Sequence, residues 1–161
     1  MNIIVAVDKN YGIGKDGGLL FSIPEDMAFF RSMTRGKTVI MGRKTLESLP
    51  GGKPLKGRRN IVFSRDPAFM AEGVERVSSI NELLNAVEGD DDAFVIGGEA
   101  IYGMLLPICD KAYVTMVDAE AEADRYFPRI EHMEEWILAY ASEWKEHEGI
   151  SFQFREYHRT K

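Results

Sequence analysis

The sequence has few residues that form disulfides or bind transition metals. Its 161 residues include one cysteine, Cys109, and three histidines. A single cysteine excludes an internal disulfide, and its place after the apolar run 104–108 predicts a packed, unreactive thiol in a reducing cytoplasm. The histidines, His132, His147 and His158, lie in polar sequence without ligand spacing, so we predict no metal site.

The sequence also lacks a long hydrophobic run. No apolar stretch approaches the ~18 residues that a membrane-spanning helix needs. The opening run Ile3-Ile4-Val5-Ala6-Val7 has no basic flank and is followed by Asp8. This pattern predicts a buried strand and not a signal peptide.

Basic residues are in the minority, with 20 Lys and Arg against 26 Asp and Glu and a net charge of -6. This balance argues against a general binder of nucleic acid or anionic membranes. Ten of the basic residues nevertheless lie between Arg31 and Arg65 with one acid, Glu47, so that segment carries +9 and the remainder -15. The segment therefore predicts either a site for a polyanionic small molecule or a solvated basic loop.

Strands and short helices alternate along most of the chain. The predicted strands are Asn2–Asp8, Lys37–Met41, Arg59–Ser64, Val74–Val77, Ala93–Ile96, Ala112–Asp118, Trp136–Trp144 and Ile150–Tyr157. Four helices are predicted between them, after Ser22, Gly42, Ser79 and Gly98. Such alternation implies βα crossovers. We predict one α/β domain over residues 1–161, with a mostly parallel twisted sheet of about eight strands and about four flanking helices.

Two local patterns refine this prediction. Ser22-Ile-Pro-Glu25 and Ser79-Ile-Asn-Glu82 both have the spacing of a capping box, in which the serine is the N-cap. Near the C-terminus, apolar and polar residues alternate in 150–157 after Glu148-Gly149, which predicts an antiparallel hairpin closing the sheet. The segment 136–140 is also compatible with a helical turn.

Open α/β sheets bind ligands at the carboxyl ends of their parallel strands. Gly42-Arg43-Lys44-Thr45 follows one predicted strand and begins a helix, where free N–H groups and two cations attract phosphate. Val95-Ile96-Gly97-Gly98 is a second such turn, with glycines that leave the backbone open. Neither a full G-x-G-x-x-G nor a P-loop pattern is present. Each turn alone is compatible with a ligand-free turn, but both in one small sheet favour a nucleotide.

Asp26 lies in the first turn of the first predicted helix. A carboxylate there is ordinary compensation of the helix dipole. Its apolar neighbours Met27 and Phe30 nevertheless predict that Asp26 shares the buried face of the helix. A buried acid needs a partner or a shifted pKa, and Thr115, in a predicted buried strand, is a candidate partner.

Taken together, these motifs resemble the dihydrofolate reductase family over nearly the whole chain. The matching stretches are Ile13-Gly14, Ile23-Pro24-Glu25-Asp26-Met27 with Phe30, Val39 to Thr45, Pro54 to Asn60, Val95 to Gly98 with Tyr102, and Thr115 to Asp124 with Tyr126-Phe127-Pro128. Their order and spacing are specific to the family, and the length is similar to that of bacterial chromosomal members.

The resemblance implies an oxidoreductase that reduces 7,8-dihydrofolate to tetrahydrofolate for one-carbon metabolism, with NADPH as the cofactor. Hydride would go to C6 of the pterin and a proton to N5. Asp26, paired with Thr115, would hydrogen-bond the 2-amino group and N3, and water would deliver the proton because Asp26 is too far from N5. A buried carboxylate beside nitrogen donors is suited to orienting the ring and stabilising charge.

The resemblance also implies a substrate pocket. Arg58 would hold the α-carboxylate of the substrate's glutamate tail with its planar fork. The pocket would comprise Ile4, Val5, Asp26, Met27, Phe30, Leu49, Leu55, Arg58, Ile96 and Thr115.

A cofactor site is implied in the same way. It would comprise Ala6, Ile13, Gly14, Gly42, Arg43, Lys44, Thr45, Ser64, Arg65, Ile96, Gly97, Gly98, Ala100, Ile101 and Tyr102. Ala6 and Ile13 would meet the nicotinamide through their backbones. Lys44, Ser64 and Arg65 would surround the 2'-phosphate, which favours NADPH over NADH.

Three departures from the family pattern concern the edge of the site. Phe21 stands where the family usually has tryptophan, which removes an indole N–H that would hold a water near Asp26. We assign Leu19 and Phe21 to the catalytic residues. Leu19 and Leu20 keep the loop before Phe21 apolar, so this loop would still cover the nicotinamide and exclude water. Leu46 replaces a frequent aromatic residue, and 50–53 lengthens the next loop, which changes the rim of the pocket.

Two alternatives remain open. One is the related NADPH-dependent reductase of riboflavin biosynthesis, and the other is a noncatalytic NADPH-binding module. Asp26 together with Arg58 favours the folate interpretation. We expect dihydrofolate and NADPH as ligands, antifolates such as trimethoprim or methotrexate as inhibitors, a cytoplasmic location, a monomer, and no nucleic-acid or membrane partner.

Overall fold

The structure, a computed structural model, describes residues 1–160. Within that range the strands are β1 (Asn2–Val7), β2 (Gly12–Gly14), β3 (Thr38–Gly42), β4 (Arg59–Phe63), β5 (Val74–Val77), β6 (Phe94–Gly97), β7 (Lys111–Val117), β8 (Arg125–Tyr126), β9 (Trp136–Ala141), β10 (Lys145–His147) and β11 (Ile150–Arg159). The α-helices there are α1 (Pro24–Thr34), α2 (Arg43–Ser48), α3 (Ile80–Ala86) and α4 (Glu99–Leu105).

The described strands other than β2 and β8 form one twisted sheet in the order β10-β11-β7-β1-β6-β3-β4-β5, with β9 also paired to β11. All pairs from β7 to β5 are parallel. The long strand β11 runs antiparallel to β7, β9 and β10. The predicted α/β domain with a mostly parallel sheet and a C-terminal hairpin is therefore confirmed.

The core surrounds β1, which lies between β6 and β7. Ile3 and Val7 are buried there because both faces of the central strand are covered. Tyr102 of α4 is buried against the same strand, and its hydroxyl donates a hydrogen bond to the Ile4 carbonyl at 2.9 Å. Cys109 is also fully buried, and this burial raises the pKa of its thiol to about 12, as expected for a packing cysteine.

One of the two predicted helix caps is confirmed and the other is wrong. Ser79 caps α3 and accepts a hydrogen bond from the Glu82 backbone N–H at 3.1 Å. The N-cap of α1 is Ile23, without a side-chain cap. Because Pro24 forces the residue before it to be extended, the helix begins at Pro24 and Ser22 lies one position too early. The Ser22 hydroxyl instead contacts the Met27 sulfur at 3.8 Å.

The C-terminal hairpin forms as predicted, with a turn at Glu148 (φ 49°) and Gly149 (φ 80°). The predicted strand 136–144 is too long, because β9 ends at Ala141, and β10 at Lys145–His147 is a further strand that was not predicted. The pairing register of β9 with β11 shifts at residues 156 and 157. The helical turn considered for 136–140 is wrong, since those residues belong to β9.

A small two-stranded sheet was not predicted. β2 pairs antiparallel with β8 and connects the glycine-rich loop to the segment after β7. The Asp124 N–H donates to the Gly14 carbonyl at 2.9 Å, and the Asp124 carboxylate accepts from the Asp16 N–H at 3.0 Å. Strands of two or three residues are too short to produce a periodic pattern.

In residues 1–160, no helix is long and apolar enough to span a membrane. Within the same residues, no three His, Cys, Asp or Glu side chains lie close enough together to hold a metal ion.

Candidate active site

A cleft of about 550 Å³ opens at the carboxyl ends of β1, β3 and β6. It exists because the strand order places these three ends side by side, with α2 and α4 beginning directly after β3 and β6. The predicted cofactor residues that line it are Ala6, Ile13, Gly14, Gly42, Arg43, Lys44, Thr45, Ile96, Gly97, Gly98, Ala100, Ile101 and Tyr102. Ser64 and Arg65 are not among its lining residues.

Glycines let the floor of this cleft pack closely. A Cβ on Gly42 would lie 3.0 Å from Ile101, and one on Gly97 (φ 129°) would lie 3.4 Å from the Tyr102 ring. The Gly97–Gly98 peptide bond is cis. The glycines thus allow Ile101 and Tyr102 to pack directly against the backbone of the two turns, and the cations Arg43 and Lys44 line the cleft beside them. An elongated dinucleotide with phosphate groups fits this donor set.

Arg43 is held in place by acids and by an aromatic ring. Its guanidinium is 3.2 Å from Glu47 and 3.3 Å from Asp66, and it lies 4.8 Å from the centroid of the Phe69 ring. These exposed contacts are weak enough for a phosphate group to replace them. They orient the side chain along the cleft wall in advance.

Asp26 and Thr115 are brought together by α1 and β7. The Thr115 hydroxyl donates to the Asp26 carboxylate at 2.6 Å, so the predicted contact is confirmed. Burial raises the pKa of Asp26, and the hydrogen bond from Thr115 opposes that rise. In the sheet, Thr115 pairs with Ala6, which lines the cleft, so the acid lies next to the cleft and not within it.

The remaining predicted substrate residues fall into several groups. Val5 lines the cleft, and Ile4 is buried in β1. Met27 and Phe30 lie on α1, where Met27 is 46% exposed and Phe30 is half-buried. Leu49, Leu55 and Ile96 pack against one apolar cluster of β3, β4 and α2.

The two predicted loop residues differ in their surroundings. Leu19 lines the cleft and is 80% exposed. Phe21 packs against the cluster of Ile23, Val117 and Phe152 and is not a lining residue. Phe21 thus anchors the end of the loop, while Leu19 presents an apolar side chain to the cleft.

Arg58 is half-buried, and its Nε is a buried donor without a hydrogen-bond partner among the described residues. Burial and the neighbouring cations Arg35 and Arg31 lower its pKa. The segments that contain Arg35 and Arg58 are joined by a hydrogen bond from the Gly36 N–H to the Gly57 carbonyl at 3.0 Å. A cluster of cations without acid partners favours an incoming anion.

Several lining residues were missed by the sequence reasoning. They are Lys15, Gly17, Gly18, Ser48, Phe63, Glu99 and Arg125. The position of Lys15 in the glycine-rich loop was an available signal. Arg125 had none, because only the β2–β8 pairing brings it to the cleft.

Fold and site define the class as an α/β nucleotide-binding enzyme with an acid beside the nucleotide cleft. The family model described as dihydrofolate reductase matches residues 1–159. The chain belongs to the dihydrofolate reductase family.

Relatives extend over most of the chain. A dihydrofolate reductase of Neisseria gonorrhoeae is 42% identical over 158 residues, which cover 98% of this chain and 96% of that protein. One of Bacillus subtilis is 41% identical over 131 residues, covering 81% and 77%. Among solved structures, the dihydrofolate reductase from Enterococcus faecalis complexed with NADP(H) and RAB-propyl superposes with a TM-score of 0.90 at 32% identity, covering 99% of this chain and 96% of that one.

Proposed function

We propose that this protein is an enzyme that reduces 7,8-dihydrofolate to tetrahydrofolate with NADPH. The observation that carries the proposal is the Asp26–Thr115 pair, joined at 2.6 Å and one strand away from the nucleotide cleft. Binding of the nucleotide alone does not require a half-buried acid beside the cleft. The names of the relatives give the same activity.

The chain's residues would bind and orient the cofactor, which supplies the hydride when bound. Ala6 and Ile13 line the cleft and would meet the nicotinamide through their backbones, and the backbone N–H groups of the two turns would bind the phosphates. Arg43 and Lys44 add charge-assisted contacts. Arg65 is exposed and outside the cleft lining, so it would reach the 2'-phosphate from the rim, together with Ser64.

Asp26 would bind the nitrogen donors of the pterin and hold the ring in position. Because burial raises its pKa, the group keeps a proton to higher pH than an exposed aspartate. The proton held by Asp26, or the negative charge of its ionised form, would favour protonation of the substrate at N5, with water carrying the proton. Leu19 at the cleft would limit the access of other water.

Arg58 would bind the carboxylate of the glutamate tail. Its unpartnered Nε and the neighbouring Arg31 and Arg35 support this role, since the cluster has no acid partner among the described residues. A guanidinium presents two parallel donors to a carboxylate, which an ammonium group does not.

Further properties belong to the same proposal. Antifolates such as trimethoprim and methotrexate would compete at the Asp26 site. We also propose that residues 1–161 act as one domain, that the protein is a monomer, and that it works in the cytoplasm, where its free, buried cysteine stays reduced.

The test follows NADPH absorbance with dihydrofolate present. We expect consumption by the wild-type protein, and Asp26→Asn to lower kcat/KM at pH 7 by about 100-fold or more. Glu25→Gln is the matched control, because this neighbouring acid is exposed and paired with Lys145 at 3.2 Å. An absence of consumption by the wild type would refute the proposal, and unchanged turnover by Asp26→Asn would refute the role of that residue.

A further inference from the structure

Asp8 is fully buried at the end of β1 and takes no part in the proposed site. Its carboxylate accepts three backbone hydrogen bonds. One oxygen accepts from the Asn10 N–H at 2.8 Å and from the Gly12 N–H at 2.7 Å, and the other accepts from the Ala121 N–H at 3.1 Å. A buried carboxylate is thus stabilised by donors from two separate loops.

These two loops are residues 8–14 and residues 118–124. The first contains β2, whose Ile13 and Gly14 line the cleft. The second leads into β8, and the Lys9 N–H donates across to the Ala119 carbonyl at 3.0 Å. We call the contact between these two loops the junction. The Asp8 carboxylate lies at its start, before the β2–β8 pairing begins.

A close approach at Gly12 completes the junction. A Cβ at that position would lie 2.5 Å from the Ala123 Cβ and 3.1 Å from each Asp8 carboxylate oxygen. The φ of Gly12 is not in the left-handed region. Glycine is therefore required there by space, because the two loops touch, and not by backbone conformation.

We infer that Asp8 is a positioning residue for cofactor binding. Asp8, Gly12, Ala121 and Ala123 form what we call the Asp8 clasp, which fixes the wall of the cleft at Ile13 and Gly14. The inference rests on the proposed function, since it assigns that wall to the nicotinamide end of NADPH.

The clasp predicts a selective effect on the cofactor. In Asp8→Asn one of the two acceptor oxygens becomes an NH₂ group, which faces a backbone N–H and cannot accept its hydrogen bond. The loop relieves this conflict by moving away from residues 118–124, because the residues after Gly14 are exposed. Ile13 moves with it, whereas α1 and residues 49–58, which hold the substrate in our proposal, donate no hydrogen bond to the clasp carboxylate.

The first experiment compares Asp8→Asn with Asp118→Asn. Asp118 belongs to the same junction, but its carboxylate is exposed, and its one ion pair within residues 1–160 is with Lys9, at 3.7 Å. NADPH is titrated into each protein without substrate, and KM is measured for both ligands. We expect Asp8→Asn to weaken NADPH binding by about tenfold with a smaller change in KM for dihydrofolate, and Asp118→Asn to match the wild type. A folded Asp8→Asn variant with wild-type NADPH affinity overturns the inference.

A second pair of variants tests the clasp if Asp8→Asn does not fold. Gly12→Ala pushes the same two loops apart while Asp8 is retained, and Ala123→Gly removes the atom that the new methyl group would strike. We expect Gly12→Ala to weaken NADPH binding and the double variant Gly12→Ala/Ala123→Gly to restore much of it. Equal NADPH affinity in all three proteins overturns the inference. A wild type that binds NADPH but does not reduce dihydrofolate refutes the proposed function alone.

Discussion

At the scale of single residues, Asp26 is subject to opposing effects. Burial disfavours its charged form and raises its pKa, whereas the Thr115 hydroxyl stabilises that form. The folded protein therefore bears a cost for the ionised acid that is absent below the unfolded pKa and complete above the raised folded pKa. Asp26→Asn should make the protein more stable at neutral pH while it lowers activity.

Thr115→Val tests the hydrogen bond to Asp26. Loss of the donor removes the effect that lowers the pKa, so the pKa of Asp26 rises further. Because the reaction consumes a proton, we expect the alkaline fall of kcat/KM to move to higher pH, which a pH profile measures. Thr38→Val is the matched control, since this buried threonine donates to Asp90 at 2.7 Å, away from the site. Superimposable profiles for wild type and Thr115→Val would contradict the assignment.

The sequence could predict the Asp26–Thr115 contact because each residue stood on an element with a clear pattern. It could not predict the role of Asp8, whose third donor, Ala121, is 113 residues away. It also could not show that Arg43 is held by Glu47 and Asp66. Such contacts depend on how loops approach each other, and hydrophobic period carries no information about that.

At the scale of elements, the two helices that were predicted to have serine N-caps differ in where the serine lies relative to the first helical residue. In α3 the serine immediately precedes the first helical residue and bonds the N–H three residues on, whereas in α1 the proline moves the start past the serine. Long strands and the hairpin at Glu148-Gly149 were predictable from period and turn residues. β2 and β8 were not, because they form only when the chain around β7 reaches the glycine-rich loop.

Ser79→Ala and Ser22→Ala provide a paired test of this difference. Removal of a true N-cap costs about 1 kcal/mol of unfolding free energy, so we expect that loss for Ser79→Ala. Ser22→Ala should change the free energy by less than about 0.5 kcal/mol, as exposed substitutions without a special contact usually do. Denaturant unfolding measures both values. Equal losses of unfolding free energy in the two variants would show that the Ser79 hydrogen bond contributes no extra stability as an N-cap.

At the scale of the whole molecule, the structure divides the basic segment 31–65 into paired and unpaired cations. Lys37, Arg43 and Arg59 each have acid partners. Within residues 1–160, the structure shows no acid paired with Arg31, Arg35 or Arg58. The chain next to Arg35 is hydrogen-bonded to the chain next to Arg58, through Gly36 and Gly57. A protein of net charge -6 thus keeps a local positive field where its anionic substrate is proposed to bind.

This field predicts a dependence on salt. Above roughly 0.1 M salt, charges separated by more than about 10 Å are screened, so KM for dihydrofolate should rise with ionic strength while kcat changes little. Arg35→Gln should raise KM at low salt and weaken its salt dependence. Lys111→Gln, at the exposed start of β7, is the control for a general loss of charge. A KM that is independent of salt in all three proteins would rule out the field as a contributor.

The place of β1 in the sheet also has a consequence during synthesis on the ribosome. Among the strands of the sheet, β1 is made first, and it lies in the centre between β6 and β7. The second of these neighbours to be made, β7, ends at Val117. At about 5–20 residues per second, the apolar strand Asn2–Val7 waits for several seconds before its second neighbour emerges. Nascent chains arrested before β7 should therefore bind chaperones that capture apolar segments, and chains arrested well beyond β7 should release them.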